Sequence, residues 1–159
     1  MSGLGSYLEW GIMANEVSER SERRIRTREM IDKWLHERQQ MMVLYWELAG
    51  LDPFVPDKSS KQLLRDFCQV LVDYMAFGHF EVLDRIGRGE ERRLAVAQAA
   101  EEVYDRLVEA AEVAVAFNDK YDTSDHNQPL DQLDGDLSLL GEEIALRVEM
   151  EDRLIAALI

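Results

Sequence analysis

Phe67-Cys68-Gln69-Val70-Leu71-Val72-Asp73-Tyr74-Met75-Ala76-Phe77-Gly78-His79-Phe80 is the stretch that decides how the chain folds. Together with Leu64, the residues Phe67, Cys68, Leu71 and Met75 recur at intervals of three and four, the spacing that lines one side of an α-helix. They are expected to face a core. Asp66, Gln69, Asp73, Phe77 and Phe80 fall on a second side. Asp73 and Phe80 are two turns apart there if an α-helix runs through Gly78. Asp73 sits among Val70, Leu71, Val72 and Tyr74, where burying an unpaired charge is costly, so it needs solvent, a local partner or another protein. A hydrogen bond from Trp34 or His36 would make it structural, and Phe80 could equally cap the core; both alternatives stay open at this level. Gly78 costs about 1 kcal/mol relative to alanine inside a helix, which points to a kink or a close packing contact.

Outward from this helix the same period recurs. Ile31, Trp34, Leu35, Met41, Met42, Tyr45 and Leu48 predict a long first helix ending near Gly50, followed by a loop held by Pro53 and Pro56. Ser59-Ser60-Lys61-Gln62 reads as a capping box that starts the second helix, which runs to about Ile86 before Gly87-Arg88-Gly89. Glu90 to Asn118 forms a third helix with Leu94, Ala97, Val103, Leu107, Ala110, Ala114 and Phe117 near one stripe. After the polar turn Asp122 to Pro129, a fourth carries Leu130, Leu133, Leu137, Leu140, Ile144, Val148, Ile155 and Leu158, with one wide gap before Ile155. No segment alternates with period two. The expectation is an all-α, antiparallel up-and-down four-helix bundle spanning residues 19–159, preceded by an extra N-terminal helical segment over residues 1–18. That segment holds Leu4, Tyr7, Leu8, Trp10, Ile12 and Met13, too apolar for an idle tail, and is expected to pack on its own bundle or on a second copy.

Composition narrows the function. The formal charge of −14 repels a phosphate backbone, so no direct nucleic-acid contact is expected. From Glu109 to the end there are 13 acids and 3 bases, a field that would steer a basic partner. Arg20, Arg23, Arg24, Arg26 and Arg28 are interleaved with Glu19, Glu22 and Glu29 and read as a solvated, salt-bridged face. The longest uninterrupted apolar runs, Met41 to Trp46 and Leu154 to Ile159, are six residues each, against about 20 for a membrane span. No membrane contact is expected and the protein is read as cytoplasmic. Cys68, the one cysteine, sits on the apolar face and is expected to be a small core residue.

Motifs for enzymes are absent: no phosphate-binding loop, dinucleotide fingerprint, nucleophile elbow or paired-histidine zinc helix occurs. His36, His79 and His126 fall in separate segments without the Glu-x-x-His pairing of metal-binding bundles. Glu142, Glu143, Glu149, Glu151 and Asp152 are read as solvated carboxylates. No enzyme activity, no cofactor and no metal are expected. A metal-carboxylate bundle enzyme and a helical scaffold or dimer joined through the Trp10 segment stand as alternatives to a binding protein.

Several ordered blocks nevertheless resemble one family, the Rsd/AlgQ anti-sigma factors. They are Ile31-Asp32-Lys33-Trp34-Leu35-His36-Glu37-Arg38, Phe67 to Tyr74, Gly78-His79-Phe80-Glu81, Phe117-Asn118-Asp119-Lys120-Tyr121-Asp122, Leu140-Gly141-Glu142 and Glu151-Asp152-Arg153-Leu154-Ile155. The resemblance implies a protein that binds the C-terminal domain of the housekeeping sigma factor, 1:1, and blocks its contacts with core polymerase and promoter DNA. Other regulatory proteins are implied as secondary partners. It also implies that Asp73 and Phe80 contact sigma, with Phe77, Ala76, Asp66, Gln69 and His79 around them and Ile31, Trp34 and Leu35 as a supporting face on the first helix. Ala76-Phe77 departs from the family by placing a bulky ring where two small residues are expected.

Overall fold

The computed structural model describes residues 3–51, 54–89, 93–122 and 130–159, and all regular structure in them is helical. Helix α1 (Gly3–Ala49) is one continuous rod that crosses Ser18 without a break. Helix α2 (Lys58–Ala76) passes directly into a π-helical turn (Phe77–Leu83) and a short α3 (Asp84–Gly87). Helix α4 (Leu94–Tyr121) and, after a single 3₁₀ turn, α5 (Leu133–Leu158) complete the chain. The α4 and α5 helices pack along each other, α1 packs on α2, and α2 also lies on α4. The turn residues Asp52, Pro53 and 123–129, including His126, lie outside the described residues, as does the start of the predicted third helix at 90–92.

One core joins the helices. From the central stretch Leu64, Phe67, Cys68, Leu71 and Met75 are buried, as periodicity predicts, and Tyr74 is buried with them. Phe67 stacks edge-on to Phe117 of α4 with ring centroids 5.8 Å apart, and Tyr45 of α1 leans on the same ring at 6.0 Å. Tyr45 also donates a 2.9 Å hydrogen bond to the Leu137 carbonyl, and it fits there because Gly141 lacks the side chain that would occupy its phenol position. Burial pushes the Cys68 thiol up to about 12, with the Asp122 charge adding to it, so the thiol is a packed core group.

Three local expectations change. Helix α2 is capped by Asp57, whose carboxylate accepts the Ser60 amide at 2.8 Å, and not by a Ser59 capping box. An aspartate placed ahead of Lys58 satisfies the free amides of the first turn, and the helix therefore begins earlier. On α4 the stripe starts with Val96, which is buried, while Leu94 and Ala97 face solvent. The first turn of that helix meets the core through Val96 alone. The third change is at the N-terminus: Glu9 to Glu22 are exposed throughout, so this part of α1 packs on none of the described residues.

Candidate partner-binding face

The gaps in the apolar stripes explain the centre of the molecule. Between Ile144 and Leu154 the inward positions of α5 are filled by Arg147 and Glu151, which are 1% and 0% exposed. Between Leu35 and Met41 the inward position of α1 is Arg38. Arg147 donates from Nε to Glu151 Oε2 at 2.8 Å and from Nη1 to the Leu107 carbonyl at 2.8 Å. The Tyr74 hydroxyl donates a short bond to Glu151 Oε1, and Arg38 reaches the same oxygen at 3.3 Å and Asp152 at 2.9 Å. Glu151 is therefore not a solvated carboxylate. Its buried charge is met by two guanidinium groups and a phenol, which is what lets it stay in the core. Burial, then the Glu151 charge, holds the Tyr74 hydroxyl well above the usual tyrosine range.

This network sets the shape of the neighbouring backbone. Gly78 is buried against it, and a Cβ there would lie 2.6 Å from Arg147 Nη2 and 3.2 Å from Trp34 Nε1. The backbone at Gly78 thus approaches both side chains as only glycine permits. Around it the hydrogen bonding widens from α to π: the Asp84 amide bonds to the His79 carbonyl, five residues back. The two-turn spacing of Asp73 and Phe80 presupposes an unbroken α-helix through Gly78, where a π turn forms instead, and both residues are on the surface.

The predicted site residues divide into three groups. Asp66, Gln69, Asp73, His79 and Phe80 are exposed, Phe80 at 61%. Asp73 accepts a 3.1 Å hydrogen bond from Gln69, and Asp66 accepts one from Gln62 at 2.7 Å, so both acids are held along the outside of α2 by the residue one turn earlier. Among the described residues Asp73 is bonded to neither Trp34 nor His36, and the Trp34 indole nitrogen is buried without a hydrogen-bond partner. Phe80 stands edge-on to His79, centroids 4.9 Å apart. Ala76 and Phe77 are half-buried, and the Lys33 ammonium lies 5.3 Å from the centre of the Phe77 ring. Ile31 and Trp34 are core residues at 7% and 1% exposure, and Leu35 packs partly against the core. Trp34 supports the turn from inside and presents no surface.

Beside His79 the π turn and α4 enclose a cleft of about 440 Å³ with Leu83, Val108, Ala111 and Val115 among its walls and Arg147 at its base. The exposed Phe80 ring, against His79, adjoins this apolar cleft, and the two anchored acids lie on the outside of the α2 turns that precede it. Such a combination suits a protein surface better than a small polar substrate. Among the described residues no three of His, Cys, Asp and Glu converge as a metal site, and no helix is long and apolar enough to cross a membrane.

Residues 13–159 match the sequence model of the family described as "Regulator of RNA polymerase sigma(70) subunit, Rsd/AlgQ". Curated relatives named "Regulator of sigma D" from Escherichia coli O1:K1 / APEC and Shigella dysenteriae serotype 1 (strain Sd197) are each 33% identical over 150 residues, covering 90% of this chain and 92% of theirs. No solved structure gives a significant match.

Proposed function

The chain belongs to the Rsd/AlgQ family of regulators of the RNA polymerase sigma(70) subunit, and on that premise we propose that it is a cytoplasmic anti-sigma factor acting by binding alone. It holds the C-terminal, promoter-reading domain of the housekeeping sigma factor in a 1:1 complex. Core polymerase and promoter DNA are thereby denied that domain. The helices are taken as an antiparallel up-and-down four-helix bundle that presents α2 and the π turn to sigma. The observation that carries the proposal is Phe80, 61% exposed on the π turn although nothing in the core needs it, with Asp73 and Asp66 anchored on the preceding turns.

A DNA-reading domain is basic, so the net charge of −14 attracts it while Phe80 and the cleft beside His79 supply the apolar anchor. Truncating an aromatic anchor commonly loses about 2 kcal/mol, roughly thirtyfold in affinity. Phe80→Ala is expected to lose that much binding to the purified sigma domain, and Asp73→Arg at least as much by adding repulsion. Both are expected to melt with the parent, since neither side chain is buried. Normal sigma binding by both variants would place the contact elsewhere, and a large drop in melting temperature for Phe80→Ala would make the ring structural.

A further inference from the structure

Helix α1 keeps its core-facing period beyond its own core. Inward positions Ile31 and Trp34 continue toward the N-terminus as Thr27, Arg24, Arg20, Val17, Met13 and Trp10, alternating steps of three and four without a break. Thr27 is the last of them that the molecule buries; Trp10, Met13 and Val17 are 70%, 57% and 61% exposed. A seam of this period is the contact line of paired helices. Where the seam leaves the core, a trough of about 790 Å³ opens, walled by Arg20, Arg23, Arg24 and Arg28 and floored by Ile31 and Ile155. None of those four arginines has an ion pair among the described residues, so the face is not salt-bridged as its interleaved glutamates predict.

The charges along α1 say what covers the seam. Residues 3–19 carry Glu9, Glu16 and Glu19 and no Lys or Arg, whereas residues 20–28 carry five arginines and one glutamate. The two halves of one helix are thus complementary, acidic and apolar against basic. We infer that a second copy of the chain docks here, α1 against α1 in antiparallel orientation about a two-fold axis. In the register that sets Val17 opposite Arg20 of the second copy, Met13 meets Arg24 and Trp10 meets Thr27. Glu16 then flanks Arg23 of the second copy, and the symmetry makes every contact twice. Parallel pairing would set Arg20 on Arg20 and Arg24 on Arg24, which like charges disfavour. The proposed contact uses none of Asp66, Asp73 and Phe80, so it goes beyond the anti-sigma function and stands independently of it.

Sedimentation velocity of the full chain over a concentration series tests the inference. The expected result is a reversible monomer–dimer equilibrium in which Trp10→Ala raises the dissociation constant at least tenfold. Glu16→Arg and Arg23→Glu should each weaken the dimer, and the double swap should restore it, because each exchanged charge again faces its opposite. All these positions are on the surface, and circular dichroism melts should match the parent. A chain that stays monomeric at every concentration overturns the inference. So does a dimer indifferent to Trp10→Ala, and so do two charge reversals whose losses add instead of cancelling.

Discussion

Replacing Gly78 by alanine sets two effects of opposite sign against each other. Alanine gains about 1 kcal/mol over glycine in a helix interior, so on backbone grounds alone Gly78→Ala should stabilise the protein. The new methyl, however, would stand 2.6 Å from Arg147 Nη2. An arginine tip usually swings away from such a contact at little cost. This one is fixed, because Nε and Nη1 are held at 2.8 Å by Glu151 and the Leu107 carbonyl and the residue is 1% exposed. Moving it forfeits part of a charge-assisted bond, about 1.5–3 kcal/mol, and crowding a packed core costs about 1–3 kcal/mol. Less the helix gain, the net loss is about 2–4 kcal/mol. Urea unfolding followed by circular dichroism measures it, with a thermal shift of about 2–4 °C per kcal/mol expected at this chain length. A Gly78→Ala protein as stable as the parent or more so would refute the reasoning, since it would mean that the Arg147 network yields freely.

Glu151→Leu leaves the Arg147 guanidinium in the core without its carboxylate, while Arg38 keeps Asp152, and is expected to cost about 3–5 kcal/mol in the same urea assay, well beyond a surface carboxylate such as Glu149. Stability is expected to fall on both sides of neutrality. Tyr74 has its folded pKa raised, so its contribution is complete below the ordinary tyrosine value of about 10 and is lost as pH climbs toward the folded one. The hydrogen bonds from Lys120 and then Tyr121 hold the Asp136 carboxyl below its usual range, so its contribution is present above about pH 4 and disappears as pH falls through the folded value. Melts from pH 2 to 11 on the parent, Tyr74→Phe and Asp136→Asn check both limbs: each variant should flatten its own limb and leave the other. Raising salt should slow association with the sigma domain more than it speeds dissociation, because charge steering acts beyond a Debye length of about 8 Å at physiological ionic strength; stopped-flow rates at two salt concentrations decide it.

Helices are legible in this sequence wherever apolar residues alone carry the period. Leu64 to Met75 and Leu133 to Ile144 were placed on their buried faces by spacing, and the core confirms them. The centre was misread because its inward positions are charged. Ile144, Arg147, Glu151, Leu154 and Leu158 keep the spacing of three and four, so the gap after Val148 is a continuous seam with a salt bridge in it; a period count blind to polarity would find it. Arg38 fills the corresponding place on α1. The exposure of Asp73 and Phe80 followed from their place opposite the apolar stripe, while the burial of Trp34 beneath the turn did not, since an indole serves a core and a partner surface equally well. Nothing local in Phe77 to Leu83 announces a π turn. Its cause is tertiary, the approach of Trp34 and Arg147 to Gly78, and only the glycine itself hints at it.

That tertiary cause ties the surface to the interior. Phe80 takes its direction from a turn that exists because Gly78 lets the backbone settle on Arg147, and Arg147 stays there because Glu151, Tyr74 and Arg38 balance one another. A buried ion network contributes little net stability compared with well-packed apolar residues of the same volume. Its worth here lies in geometry: guanidinium and carboxylate hydrogen bonds are directional, so they hold one register of α5 against α2 where leucines would tolerate several. Phe80 stands within a turn wound wider than an α-helix, and the cleft beside His79 opens next to it. The orientation of the exposed Phe80 ring is in this way decided by charges buried beneath it.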